Sequence, residues 1–328
     1  MRRAGQLIER IATLDNLYDA FRRASRGKHL KREVKVYSER LEDNLAALRR
    51  QLLSGEADVG HYSYFTIHEP KERVICAASF AERVLHHALM NVCHRYFDRS
   101  LIDSTCATRI GKGVYVALDM AVRALTRYPY SAKLDVRKYF DSIDHAILED
   151  MLARKFKEKT LLRVFHSVID SYHVAPEKGV PIGNLTSQYF ANMYLSSLDH
   201  FAKQELGVPI YIRYMDDILI VASTKEEISR DVRAVTDFAR SRLSLTMKPP
   251  VCQKSSSGQV FLGYRVLPHH YLLAGKSKRR FRSRLLEYGK LLDEGEWSQE
   301  TYRDHVEPLL AFTRHAASRE FRKACLNV

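Results

Sequence analysis

The sequence predicts an α+β fold in which many helices are interspersed among few strands. Three observations carry this reading. Apolar residues recur at helical spacing through much of the chain, two apolar arms flank a pair of adjacent aspartates in the manner of a β-hairpin, and no regular βαβ alternation appears. The 328 residues, 45% of them hydrophobic, suffice for one large domain or two to three modest ones and argue against disorder as the main state.

The elements follow in order. Leu7, Ile8, Ile11, Leu14, Leu17, Tyr18 and Phe21 share one face of a helix predicted over Gln6 to Phe21. The basic run Arg22 to Arg32 comes next and reads either as a solvated turn or as a nucleic-acid contact. Tyr37 to Leu53 is a second helix, ended by Ser54 and Gly55. Tyr62 to Ile67 and Val74 to Ala77 read as strands around EPKER, and Ala81 to Tyr96 as a helix. Gly111 and Gly113 precede a helix from Val114 to Thr126. SAKLDVRKYF reads as a short strand into a turn, and Asp144 as the N-cap of a long helical stretch to about Ile169. GVPIGNLTSQYFANMYLSSLDHFAKQEL opens as a Gly/Pro-rich loop and becomes a helix, and IYIRYMDDILIVAS forms the hairpin. Lys225 to Ser241 is a helix, Gln259 to Leu267 a strand, and Lys276 to Leu292 a strongly basic helix.

Lys+Arg 53 against Asp+Glu 39 gives a net charge of +14, which fits a polyanionic partner and equally a merely basic soluble protein. Cys76, Cys93, Cys106, Cys252 and Cys325 are scattered, with no metal-ligand spacing, and suit a reducing compartment. No apolar stretch reaches the roughly 20 residues that span a bilayer, and Glu9 and Arg10 interrupt any signal-peptide core. A cytoplasmic setting without a membrane partner is expected.

Asp216 and Asp217 stand between apolar arms, where a buried carboxylate must be paired, protonated or metal-bound. An ordinary Asp-rich surface turn has the same letters. Asp135 ends the strand-like AKLDV. If the two strands pair, Asp135 and Asp216 can face each other and hold two divalent cations, for which Mg²⁺ is suited because it favours carboxylates together with phosphate oxygens.

KLDVRKYFDSIDH and IRYMDDILI resemble the catalytic core of reverse transcriptases. GVPIGNLTSQYFANMYLSSLD resembles that family's segment against template and incoming nucleotide, FLGY at Phe261 to Tyr264 its primer-gripping hairpin, and EPKERVI at Glu69 to Ile75 its triphosphate-contacting fingers element. The resemblance runs in the family's order over roughly residues 60 to 270. It implies a right-hand polymerase fold: an N-terminal helical extension over 1–60, fingers and palm over 61–267, and a short basic helical thumb over 268–328. It also implies catalysis by Asp135, Asp216 and Asp217 at a two-Mg²⁺ site, with Asp135 and Asp216 the principal metal ligands, the Val136 carbonyl assisting and Asp217 in a weaker metal role. Arg73 and Lys71 match the residues that hold the triphosphate. Phe140 matches the aromatic that excludes a 2′-hydroxyl, although a core aromatic has the same letter. Lys248 matches the lysine near the pyrophosphate, though its surroundings, TMKPP, depart from the family pattern.

Many members carry Pro-Gln-Gly where this chain has Pro181-Ile182-Gly183, and Ser-Pro where it has Ser187-Gln188. PIGNLTSQ is similar to the reverse transcriptases of diversity-generating retroelements, which implies Ile182 and Gln188 as substrate-contacting residues and error-prone, adenine-mutagenic cDNA synthesis for target gene diversification. The partners so implied are dNTPs, template RNA with a primer or an RNA–DNA hybrid, and a small accessory variability protein that forms a helical ring, in a prokaryotic or phage-infected cell. A retron-type or group II intron-type enzyme, or an RNA-binding protein with an inactive palm, are the alternatives.

Overall fold

A computed structural model describes residues 3–68 and 72–326. The α+β class holds: among the described residues nine strands form three antiparallel sheets amid numerous helices. The chain forms two compact units whose segments alternate along the sequence. The first gathers the segments up to Ile102, Val136–His200 and Asp237–Thr246; the second gathers Asp103–Asp135, Phe201–Thr236 and the segment from Met247 onward. The compact units therefore do not follow the linear boundaries at 60 and 267, because the N-terminal helices pack on helices far along the chain.

In the first unit the amphipathic run expected over 6–21 is two helices, Ile8–Ile11 and Leu14–Ser25. Thr13 separates them: its backbone is extended and its hydroxyl accepts the Asn16 N–H as an N-cap. Leu17, Ala20 and Ala24 are buried where the second of these lies on the helix Phe80–Asp98. The helix expected over 37–53 is likewise split into Arg32–Glu39 and Leu41–Ser54, and Gly55 closes the latter in the left-handed conformation at φ 77°. Strands β1 (Tyr62–Ile67) and β2 (Arg73–Ala78) form a two-stranded ribbon. Buried Glu82, in the first turn of Phe80–Asp98, accepts the N–H groups of Gly60 and His61 at 2.8 and 3.0 Å and so ties the entry of β1 to that helix.

The long helix expected to Ile169 is interrupted. His145–Lys155, capped by Asp144 as predicted, and Lys159–Asp170 are separate helices. The interruption is caused by a segment some 150 residues away in sequence: Ala4 exchanges backbone hydrogen bonds with Lys155 and Lys157, and the Glu158 carboxylate accepts the Leu7 N–H at 2.7 Å and the Ile8 N–H at 3.3 Å. Glu158 thus caps a helix that is not its own. Behind the break Phe97, Phe156, Phe165 and Phe190 make mutual ring contacts, the Phe97–Phe156 centroids lying 5.5 Å apart.

In the second unit β3 (Tyr130–Asp135), β4 (Ile210–Tyr214), β5 (Asp217–Ala222) and β6 (Val251–Lys254) form an antiparallel sheet in the order β4-β5-β3-β6. Ile212, Leu219 and Val221 share a buried cluster with Ala117, Leu118 and Ala121 of the helix Val114–Arg127. The single strand expected over 259–267 is a hairpin, β7 (Gln259–Phe261) and β8 (Tyr264–Leu267), extended by β9 (His270–Leu273). Leu262 and Gly263 make its turn, both at positive φ, as a tight two-residue connection requires. Three helices follow, the basic Gly275–Asp293, then Gln299–Arg314 and Arg319–Leu326. The Tyr264 hydroxyl donates to the Phe312 carbonyl at 2.6 Å and the Ser277 hydroxyl to the Gly263 carbonyl at 2.6 Å, so the hairpin is bonded to the first two of them.

Glu158→Ala removes the acceptor of two helix-start N–H groups. It is expected to destabilise the first unit by about 1–3 kcal/mol, read as a lower urea midpoint, with Glu158→Gln costing less. An unchanged midpoint in Glu158→Ala would show that the Ala4 backbone bonds alone hold the N-terminal segment.

Candidate active site

Three carboxylates meet at the end of the β4-β5-β3-β6 sheet. In register, Asp135 of β3 faces Asp217 of β5, which in turn faces Tyr214 of β4. The pairing leaves only Met215 and Asp216 as the hairpin turn. Asp217 is therefore the register partner of Asp135. Asp216 sits at the lip of the sheet.

The turn has a backbone cost. Met215 is held at φ 53°, a conformation that favours glycine and that the tight turns of hairpins need. Arg213, fully buried, donates from Nη1 to the Met215 carbonyl at 3.1 Å. On the outer side of β4, the Arg213 carbonyl accepts the Cys106 N–H at 2.8 Å and the Arg213 N–H donates to Ser104 at 3.1 Å, which covers the sheet edge. The turn is therefore clamped from both its strand and its flank.

Two lysines accompany the acids. The Lys248 ammonium is hydrogen-bonded to an Asp135 carboxylate oxygen, and the Lys248 N–H donates to the Asp135 carbonyl at 2.8 Å. Lys133, two residues before Asp135 and so on the same face of β3, places Nζ 2.7 Å from Asp217 Oδ1. That contact is an ion pair without hydrogen-bond alignment, since buried Oδ1 has no hydrogen-bond partner. Lys133 was missed in the sequence, although the two-residue period of a strand places it beside Asp135.

Burial first, then the charges of Asp217 and Asp135, push the Asp216 carboxyl up to about 6, with the Lys248 ammonium opposing. No group of three His, Cys, Asp or Glu side chains forms a ready-made metal cage among the described residues. The donor set nevertheless fits Mg²⁺, which is commonly held by one or two carboxylates and completes its shell with waters and substrate phosphates. An acid whose ionisation is disfavoured, as that of Asp216 is, gains from a cation. The carbonyl of Val136 follows Asp135 directly in the chain.

The remaining site residues predicted from the sequence belong to the first unit. Arg73 opens β2 and is exposed. Half-buried Phe140 lies in the single helical turn Tyr139–Ser142, and its carbonyl accepts the Val180 N–H at 2.9 Å. The Ile182 carbonyl accepts the N–H of Cys76 in β2 at 3.0 Å, and Asn184 Oδ1 accepts the Ala78 N–H at 3.3 Å. The structure thus brings Phe140, Ile182 and the strand that starts with Arg73 into one bonded frame. Gly183 is required there: at φ 123° a Cβ would meet Ile75 Cγ2 at 3.0 Å and the Cys76 carbonyl oxygen at 3.3 Å. Gln188 is half-buried on the helix Leu185–Tyr194, and Lys71 lies outside the described residues.

The sign of the Asp216 effect is testable. For this carboxyl the folded value lies above the ordinary 3.8, so its contribution to stability is present below 3.8 and is lost as pH rises to about 6. Without added divalent metal, Asp216→Asn is expected to melt a few degrees above the wild type at pH 7, with the difference vanishing near pH 4. A difference independent of pH, in thermal melts monitored by circular dichroism, would remove the account of a carboxyl raised by burial and neighbouring charge.

A reverse transcriptase (RNA-dependent DNA polymerase) family profile matches residues 68–266. The chain is 22% identical to Protein YkfC of Escherichia coli (strain K12) over 281 residues, which are 70% of this chain and 72% of that protein. It is 23% identical over 141 residues to the group II intron-encoded protein LtrA of Lactococcus lactis subsp. cremoris, covering 41% of this chain but 23% of LtrA. In fold it is similar to apo telomerase from Candida tropicalis, with a TM-score of 0.52 at 14% identity over 77% of this chain and 57% of that one. It therefore spans about a quarter of LtrA and little more than half of the telomerase chain. That likeness is one of fold, and it agrees with the right-hand polymerase fold that the motifs imply. The matched residues 68–266 are more than half of the 328, and the chain belongs to the reverse transcriptase (RNA-dependent DNA polymerase) family.

Proposed function

We propose that this chain is an RNA-directed DNA polymerase that extends a primer on an RNA template with dNTPs, and that its template belongs to a diversity-generating retroelement. The observation that carries the enzymatic part is the meeting of Asp135, Asp216 and Asp217 at one sheet end in a chain of this family. Phosphoryl transfer asks for positioning and electrostatics more than for covalent chemistry, and each residue has a role of that kind. A Mg²⁺ pair would supply Lewis-acid polarisation of the attacking hydroxyl and the departing pyrophosphate. Asp135 and Asp216 are its principal holders, the Val136 carbonyl assists, and the metal role of Asp217 is the weaker one.

Arg73 offers a planar guanidinium suited to phosphate oxygens, and Lys71 a second positive charge in the same segment. Phe140 fills the space that a 2′-hydroxyl would need and so selects dNTPs. The Lys248 ammonium, bonded to Asp135 in the protein alone, is a counter-charge for the triphosphate as it arrives. The basic helix Gly275–Asp293, in the part of the chain assigned to a thumb, suits a phosphate backbone.

The diversifying reading rests on Ile182 and Gln188. An isoleucine cannot offer the directed hydrogen bonds of a glutamine near a nascent base pair, and loss of one such bond relaxes selection by a factor of about 10. An accessory variability protein in a helical ring belongs to the same reading. The similarity to LtrA favours a second one, in which the enzyme serves a group II intron RNA. Flanking DNA separates them: a near-duplicate repeat differing at adenines supports diversification, and an intron RNA around the gene supports the second.

Primer extension on RNA with dNTPs and Mg²⁺ is expected from the wild type and not from Asp216→Asn; equal synthesis by the variant would defeat the site assignment. In sequenced cDNA, Ile182→Gln is expected to lower adenine-templated errors on the order of tenfold. An unchanged error spectrum would sink the role given to Ile182.

A further inference from the structure

We infer that Lys133 is a positioning residue that holds Asp217 as an internal ion pair, so that the cation site is built by Asp135 and Asp216. Four observations converge on it. Asp217 faces Asp135 in register, so two carboxylates stand directly opposite each other on adjacent strands, an arrangement that repels. Lys133 lies on the same face, two residues before Asp135, and its Nζ is 2.7 Å from Asp217 Oδ1. Both side chains are mostly shielded, at 22% and 28% exposure, so the pair is less screened than a surface one. Finally, Lys133 is fixed from below by its own strand: its register partners are Leu219 of β5 and Val251 of β6, and Leu219 is fully buried.

The charge balance gives the pair its consequence. Asp135, Asp216 and Asp217 carry three negative charges, and Lys133 and Lys248 two positive ones. Lys248 engages Asp135 from an irregular segment before β6, whereas Lys133 sits inside a central strand. Lys248 is therefore the partner placed to yield to a cation, and Lys133 the one placed to stay. With Lys133 in place Asp217 is neutralised locally. Without it a third carboxylate is released to the cations, which raises the ligand charge and alters the geometry. The affinity of carboxylate sites follows ligand charge count, so loss of Lys133 tightens cation binding while misplacing the cation for synthesis.

The inference rests on the polymerase reading of this site, and its test is chosen to fail separately from it. Mn²⁺ binding to the full chain without nucleic acid is measured by calorimetry for the wild type, Lys133→Met, Lys133→Arg, Asp217→Asn and Lys133→Met/Asp217→Asn. Primer extension is measured for the same set. Lys133→Met is expected to bind Mn²⁺ on the order of tenfold more tightly and to synthesise at least about tenfold more slowly, while Lys133→Arg stays within about threefold of the wild type in both. In the Asp217→Asn background the same Lys133→Met change is expected to leave Mn²⁺ affinity nearly unaltered, because Lys133 acts through Asp217. Unchanged Mn²⁺ affinity in Lys133→Met, or an equal gain with and without Asp217, would overturn the inference even if the protein is a polymerase. Should Lys133→Met fold only together with Asp217→Asn, the pairing is supported; should neither fold, Lys133 belongs to the core and the inference falls. Absence of synthesis by the wild type with the Mn²⁺ cycle as expected would instead refute the polymerase reading alone.

Discussion

The pairing of β3 with β5 in a single register is the constraint on which the rest depends. It sets Asp135 against Asp217 and leaves Met215-Asp216 as the turn, so three acids meet although one lies about 80 residues from the others in sequence. A shift by one residue would turn every side chain of a strand to the opposite face. The register is protected by burial on both faces: Ile218, Leu219, Ile220 and Val221 are all fully buried. The apolar arms around the acids are the anchor that makes an unfavourable concentration of charge tolerable.

The local costs fall at the acidic end of the β4-β5-β3-β6 sheet. Met215 carries a left-handed backbone, Asp216 carries an elevated carboxyl, and Asp217 stands directly opposite the like-charged Asp135. Each is unfavourable by itself, and such strain persists when the surroundings over-determine it. Here the surroundings are the Arg213 bond to the Met215 carbonyl, the covered edge of β4, and the helix Val114–Arg127 under the sheet. The elements around the site hold a cation-seeking geometry in advance.

Much of this was legible in the sequence because it is local. The alternation of apolar arms around YMDD, the cap at Asp144 and the basic helix after residue 275 all follow from nearest neighbours. What escaped is set by distant partners or by turns concealed in apolar runs. Nothing within Phe156 to Glu158 announces a helix break; Ala4, Leu7 and Ile8 impose it. The turn at Leu262-Gly263 lies inside a run that reads as one strand. β6 is an edge strand with mostly exposed residues, and so has no apolar signature. The register at Asp135 was hidden for a related reason: a two-residue turn consumes Asp216 and passes the register to Asp217.

The frame around Ile182 explains how its side chain can vary while its backbone cannot. Ile182 is bonded to β2 through its carbonyl, and Val180 to Phe140 through its N–H, so both links are indifferent to residue type. Gly183 is the opposite case, because its φ and the closeness of Ile75 and Cys76 exclude a Cβ. A change from glutamine to isoleucine at position 182 therefore preserves the link between the Phe140 turn and the strand of Arg73 while replacing a polar side chain by an apolar one. Under the proposed role of this segment, selectivity toward the incoming base is what such a change alters, while the backbone scaffold that carries the segment stays intact.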